Sequence, residues 1–126
     1  MFQFRTIKVI KKSFFFIYLL FISTLSLWPS DGLPDVILFP YADKVIHTGM
    51  YAGFTFLMLW AWSDKLIRKK QILPLIMVIL WGFFIELLQG YSHFGREFDL
   101  TDELANTLGF VPGWIGWRVF KKRISE

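Results

Sequence analysis

The sequence predicts an all-α integral membrane bundle of about four transmembrane helices, with both termini in the cytoplasm. Three observations predict it. The 126 residues are 55% hydrophobic and 20% aromatic, with 15 Phe and 6 Trp, more apolar surface than a soluble domain of this size hides. The apolar residues fall in four runs, approximately 13–30, 45–62, 72–89 and 103–120, each near the ~20 residues that cross a bilayer. Basic residues cluster between alternate runs, where topology signals lie. The whole chain, 1–126, reads as one domain.

The first run, Ser13 to Ser30, carries no formal charge. As a helix it rises about 27 Å, close to the ~30 Å hydrocarbon core. Arg5, Lys8, Lys11 and Lys12 precede it. Trp28-Pro29 follows where a signal peptide would place small residues, so an uncleaved span is the better reading. Its Phe-rich surface is expected to face lipid. Asp31-Gly32, Pro34 and Pro40 mark turns. Between them, Val36 to Phe39 is too short to span and is expected in the interface.

The second run is entered through Asp43-Lys44, with Asp43 as an N-cap. Gly49 and Gly53 form a small-xxx-small pair for close helix approach. Lys65, Arg68, Lys69 and Lys70 make a basic loop. Pro74 sits in the first turn of the third run, where the ring is tolerated, and Glu86 interrupts that run near its end. The fourth run holds Gly109, Pro112, Gly113 and Gly116. It reads as a tilted or kinked helix, with a re-entrant hairpin as the alternative. The tail Arg118, Lys121, Lys122 and Arg123 is basic.

Positive-inside counting then places both termini and the middle loop in the cytoplasm. The other two loops hold only Lys44 and Arg96 among acids and face outward. There is no cysteine, which excludes disulfides, thiolate chemistry and Cys metal sites. No phosphate-cradling glycine loop or RNA-binding aromatic motif appears. The net charge of +4 therefore reports topology, and no nucleic acid partner is expected.

Orientation gathers the polar residues on the outer side. Asp43, Lys44 and His47 start the second span, and Glu86 and Gln89 end the third. Arg96 and Asp99 lie in the loop, and Asp102 and Asn106 begin the fourth span. Asp43 and His47 share a helix face at i, i+4, while Glu86 and Gln89 are i, i+3. Asp102, Asn106, Gly109 and Gly113 form one face that must look into the bundle. His47 and Glu86 are candidate acid–base groups. Lys44 and Arg96 could hold an anion such as a lipid phosphate. Gln89 and Asn106 could orient a polar substrate, and His93 reads as a surface residue. A divalent metal on Asp43, His47, Glu86 and Asp102 is conceivable. The linear spacing supplies no third ligand, so no metal is assigned.

These residues carry a resemblance. Asp43-Lys44-Val45-Ile46-His47, Glu86-Leu87-Leu88-Gln89 and the stretch from Arg96 to Gly109 resemble, in order and spacing, the VanZ-like family. The family's motif positions fall on Asp43, Lys44, His47, Glu86, Gln89, Arg96, Asp102, Asn106 and Gly109. The resemblance implies a small bacterial membrane protein of the inner (cytoplasmic) membrane. The family is named for an accessory protein in teicoplanin resistance, and the resemblance implies no settled activity or cofactor.

Two functions remain open. One is an enzyme acting on a lipid or lipid-linked envelope molecule from the outer leaflet, with His47 and Glu86 as acid and base. The other is a non-catalytic module that binds such a molecule or an envelope-directed antibiotic, or that scaffolds other membrane proteins while its polar residues pin helix ends.

The topology has a direct test, because the chain lacks cysteine. Single cysteines replacing Ser13 and Ser125 are expected to be shielded from an impermeant thiol reagent in intact cells, and one replacing Gly32 to label. Labelling at position 125 from outside would favour three spans.

Overall fold

The structure, a computed structural model, describes residues 1–28, 39–66, 72–92 and 97–126, and the side chains of all of these but 63–66. The described residues form five helices: α1 Phe2–Leu27, α2 Ala42–Leu66, α3 Ile72–Tyr91, α4 Leu100–Leu108 and α5 Phe110–Ser125. The described residues contain no strand. Two of the helices, α1 and α3, are long and apolar enough to cross a membrane. The expected turns at 31–38, His93, and Arg68, Lys69 and Lys70 lie outside the described residues.

Helix α1 starts at Phe2, eleven residues before the charge-free run. No breaker precedes Ser13, and Lys and Arg are good helix formers, so the basic residues are wound into the helix. Lys11 and Lys12 lie over the rings of Trp60 and Trp62, 5.3 and 5.6 Å from the centroids, a cation–π contact. The helix stops at Leu27 because Trp28, extended at ψ 135°, precedes Pro29, which disfavours helical backbone before it. Thr6, Ser13, Thr24, Thr48 and Thr55 each donate their hydroxyl to the carbonyl four residues back. This keeps them satisfied without water, as a bilayer requires.

The core forms where α1, α2 and α3 meet, on Phe15, Ile22, Tyr51, Phe54, Met58 and Val78. Of the first-run rings expected to face lipid, Phe14, Phe16 and Phe21 are exposed on the surface of the bundle, whereas Phe15 is buried inside it. That ring packs edge-on against Phe54 and Trp62. In lipid such contacts stabilise by close packing rather than by release of water. Polar bolts add to them. The Tyr18 hydroxyl donates to the Met50 carbonyl at 2.7 Å, and the Trp81 indole N–H to Ser23 at 3.2 Å.

The fourth run is one helical rod, not a hairpin. Gly109 joins α4 to α5 with right-handed helical dihedrals, φ −58° and ψ −23°. The interruption has a covalent cause: Pro112 lacks the N–H that would reach the Leu108 carbonyl. The ladder resumes when Gly113 N–H reaches the Gly109 carbonyl at 3.2 Å. The rod runs parallel to α2 at backbone contact. A Cβ on Gly109 would meet the Thr48 carbonyl oxygen at 2.5 Å, and one on Gly113 would strike the Ala52 carbonyl oxygen. On α2, Gly53 admits the Tyr18 ring, whereas Gly49 faces open space, so only one member of that expected pair is a close-approach position. Helices α1 and α3 run antiparallel to α2. The ends of α1 and α3 and the starts of α2 and α4 therefore gather at one end of the bundle.

This packing makes a paired prediction. Gly113→Ala forces a shift of the α2 or α5 backbone and is expected to lower the thermal midpoint in detergent by several degrees. Gly49→Ala meets nothing and gains about 1 kcal/mol of helix propensity, so it is expected to hold or raise the midpoint. Equal midpoints for both variants would mean that α5 does not pack on α2 this closely.

Candidate functional site

Helix α2 opens on a tight turn. Tyr41 adopts φ 63°, and its carbonyl receives the N–H groups of Lys44 and Val45 at 3.1 and 3.2 Å. Tyr41 thus holds the cap position expected of Asp43. Asp43 instead lies in the first turn, where its charge complements the helix dipole. Its carboxylate, largely exposed, sits 3.0 Å from the Lys44 ammonium.

Helix α4 begins at Leu100, three residues before the expected start, because Asp99 caps it. The Asp99 carboxylate accepts the Thr101 N–H at 2.8 Å and the Thr101 hydroxyl at 2.6 Å, a standard N-cap arrangement. The Thr101 hydroxyl, and then the Lys44 ammonium, hold the Asp99 carboxyl well below the usual carboxylate range. Asp102 and Glu103 fall in the first turn.

Lys44 ties the two helix starts together. Its ammonium reaches Asp99 at 2.9 Å and also bonds Asp102. With Asp43 as the third partner, all three of its N–H donors are committed to carboxylates. In this state Lys44 is not free to hold an anion. Arg96, the other expected anion holder, lies outside the described residues.

One turn deeper, His47 Nδ1 is 2.8 Å from Asn106 Oδ1. The Asn106 amide nitrogen donates to Glu103 at 3.3 Å, which turns its carbonyl oxygen toward the histidine. Nδ1 is therefore the donor to Asn106, and in the neutral ring Nε2 is left with the lone pair. Nε2 lies 3.8 Å from Asp102. On α3, Glu86 is fully buried, takes the Asp99 backbone N–H on Oε2 at 3.3 Å, and leaves Oε1 with no hydrogen-bond partner.

The structure thus brings together Asp43, Lys44, His47, Glu86, Asp99, Asp102 and Asn106. Gln89 belongs elsewhere: its amide N–H donates to the Ser26 carbonyl at 2.5 Å and fastens α3 to α1. Glu103 joins the group unforeseen. It is buried, bonds Asn106 and Thr107, and fits against Gly82, where a Cβ would meet its carboxylate at 2.5 Å. Its position three residues before Asn106 and four before Thr107 was the available signal.

A lateral groove of about 500 Å³ lies beside the cluster, between α2 and the α4–α5 rod. Lys44, Thr48 and Thr101 line its polar end, and Gly49, Ala52, Leu104, Leu108 and Pro112 its apolar length. A second cavity of about 560 Å³ sits at the opposite end, between Leu59, Trp114, Trp117 and the basic tail of α5. It holds none of the clustered groups.

A family model described as VanZ/LLP1 matches residues 2–121. The chain belongs to the VanZ/LLP1 family. Membership suggests a membrane protein linked to glycopeptide resistance, and the two helices of this VanZ/LLP1 chain that are long and apolar enough to cross a membrane agree with the membrane part. The chain is also similar to a cytochrome c oxidase subunit 3 from Myxine glutinosa, at 26% identity over 96 residues. That stretch is 74% of this chain and 36% of that protein, so the chain spans about a third of that relative's length. No solved structure matches.

The Lys44 junction sets a stability prediction. Lys44→Ala leaves Asp99 and the mostly buried Asp102 without their cation and is expected to cost roughly 2–4 kcal/mol. Asp43→Ala removes an exposed partner and is expected to cost under about 1 kcal/mol. Thermal or denaturant unfolding in detergent measures both, and a Lys44→Ala variant as stable as wild type would show that the junction is solvated.

Proposed function

We propose that this chain is a multi-pass protein of the bacterial cytoplasmic membrane that holds a lipid or lipid-linked envelope molecule at its outer-leaflet end.

 The bound molecule is an amphiphile, with its head group at the Lys44 cluster and one chain in the lateral groove. The observation that carries this is the shape of the groove. From Thr101 to Pro112 it follows the rod for about 16 Å, close to half of the ~30 Å hydrocarbon core. Its polar end meets charged side chains and the rest is apolar. A cleft one leaflet deep with a charged rim suits one lipid chain.

On this reading the chain has four spans. The α4–α5 rod continues through Gly109 beside α2 for its whole length, and positive-inside counting puts the shared end of the four rods outside. Within that frame, His47 and Glu86 are the acid–base candidates for chemistry on a bound head group. The ligand class includes lipids, lipid-linked envelope precursors and envelope-directed antibiotics such as glycopeptides. A second reading, a scaffold without a ligand, is favoured by one observation: every Lys44 donor already serves to join helices.

Mass spectrometry of copurifying lipids separates the two. Wild-type protein is expected to retain one lipid class enriched over the bulk membrane. Gly49→Trp, which fills the groove from a position with open space, is expected to lose that enrichment while keeping its thermal midpoint. Bulk lipid composition in both samples would leave the scaffold.

A further inference from the structure

The buried end of the cluster has an electrostatic problem. His47, Glu86 and Asp102 come from three different helices, and one donor atom from each lies within 4.8 Å of the others. Each residue also has one polar atom held by a partner outside the three. Asn106 holds Nδ1 of His47, the Asp99 N–H holds Oε2 of Glu86, and Lys44 holds Oδ1 of Asp102. The atoms left over are Nε2, Oε1 and Oδ2. With His47 neutral and both carboxyls ionised, all three are electron-pair donors, and Oε1 of the fully buried Glu86 has no hydrogen-bond partner. Converging lone pairs in a desolvated place repel one another unless a cation lies between them.

We propose that His47, Glu86 and Asp102 form a binding site for one first-row divalent metal ion, of which Zn²⁺ is the best fit. A triangle with no side above 4.8 Å has a point within about 2.8 Å of every corner, so small side-chain shifts reach the ~2.0–2.2 Å bonds of zinc. One imidazole and two carboxylates suit a borderline ion better than Ca²⁺ or Mg²⁺, which prefer oxygen alone. The anchoring bonds are what a metal site needs in its surroundings: a histidine fixed in the right tautomer and carboxylates held from behind. Charge agrees. Asp43, Glu86, Asp99, Asp102 and Glu103 face Lys44 as the one lysine or arginine among the described residues of the cluster.

The ion deepens the proposed function and rests on this cluster being a site. Three protein ligands leave a coordination position open. An anionic head group could bind there directly, although every Lys44 donor is engaged. The metal thereby replaces Lys44 as the group that meets the anion.

The test uses full-length protein in detergent, purified with a histidine-free tag, stripped with chelator and reloaded with Zn²⁺ or Co²⁺. Elemental analysis after gel filtration is expected to find about one Zn²⁺ per chain in wild type and Asp43→Asn, and under about a tenth in His47→Gln and Glu86→Gln. Zn²⁺ should raise the thermal midpoint of wild type and Asp43→Asn, and leave those of His47→Gln and Glu86→Gln unchanged. Co²⁺ should give visible absorption with a nitrogen ligand in wild type, a readout that needs no variant to fold. Wild type without bound metal, or metal retained by both His47→Gln and Glu86→Gln, overturns the site. The lipid reading is judged separately by the Gly49→Trp comparison, because Gly49 is no part of the metal cluster.

Discussion

The arrangement depends on one close approach. Gly109 and Gly113 let the fourth rod lie against the α2 backbone at Thr48 and Ala52. A Cβ at either position would strike an α2 carbonyl oxygen and push the helices apart. At that greater distance Asn106 could not reach His47, nor Asp102 reach Lys44. Two missing methyl groups thus set the distances of a polar network one turn away. In lipid, where apolar side chains gain little by leaving solvent, small residues and polar pairs are what hold helices together. Here the two devices sit in succession along one face.

The network resolves the desolvation of its members unevenly. Lys44, Asp99 and Asp102 satisfy one another near the bundle end. His47, Asn106 and Glu103 form a second chain of bonds deeper in. Glu86 is the exception, with one oxygen served and one not. An orphaned carboxylate oxygen at full burial is costly, and it persists only because the surrounding packing fixes the helix that carries it. Such a group marks the place where the structure gives up stability for something else.

Much of this was legible in the sequence. The apolar runs located the four rods, and the i, i+4 spacing of Asp43 with His47 and of Asp102 with Asn106 placed polar faces correctly. Helix ends were less legible. Asp99 rather than Asp102 caps α4, because an Asx-type bond to Thr101 competes with the more obvious acid at the edge of the apolar run. Basic residues were read as ending α1, whereas nothing in their backbone preferences stops a helix. Gln89 was grouped with Glu86 by spacing, but its partner, the Ser26 carbonyl, belongs to backbone that no side-chain pattern reveals. Glu103 was passed over because its neighbour Asp102 already occupied the predicted face. Linear spacing alone does not give the convergence of His47, Glu86 and Asp102, since each comes from a different helix; positive-inside orientation gathered them at one end of the bundle.

The Pro112 interruption divides the fourth rod into halves held by different forces. The first half, α4, is seated by ions and hydrogen bonds to Lys44, Thr48 and His47. The second half, α5, is seated by rings, with Trp117 and Phe120 against Phe56. Acid acts on the first alone. The Asp99 carboxyl titrates lower in the folded chain than in the unfolded one. Its contribution is complete above the ordinary carboxylate range and fades as pH falls through its lowered folded value. The aromatic half has no titrating group in those contacts and stays in place. The rod is therefore a hinged bar with one latch that responds to protons and one that does not, and its pivot lies where the backbone already lacks a bond.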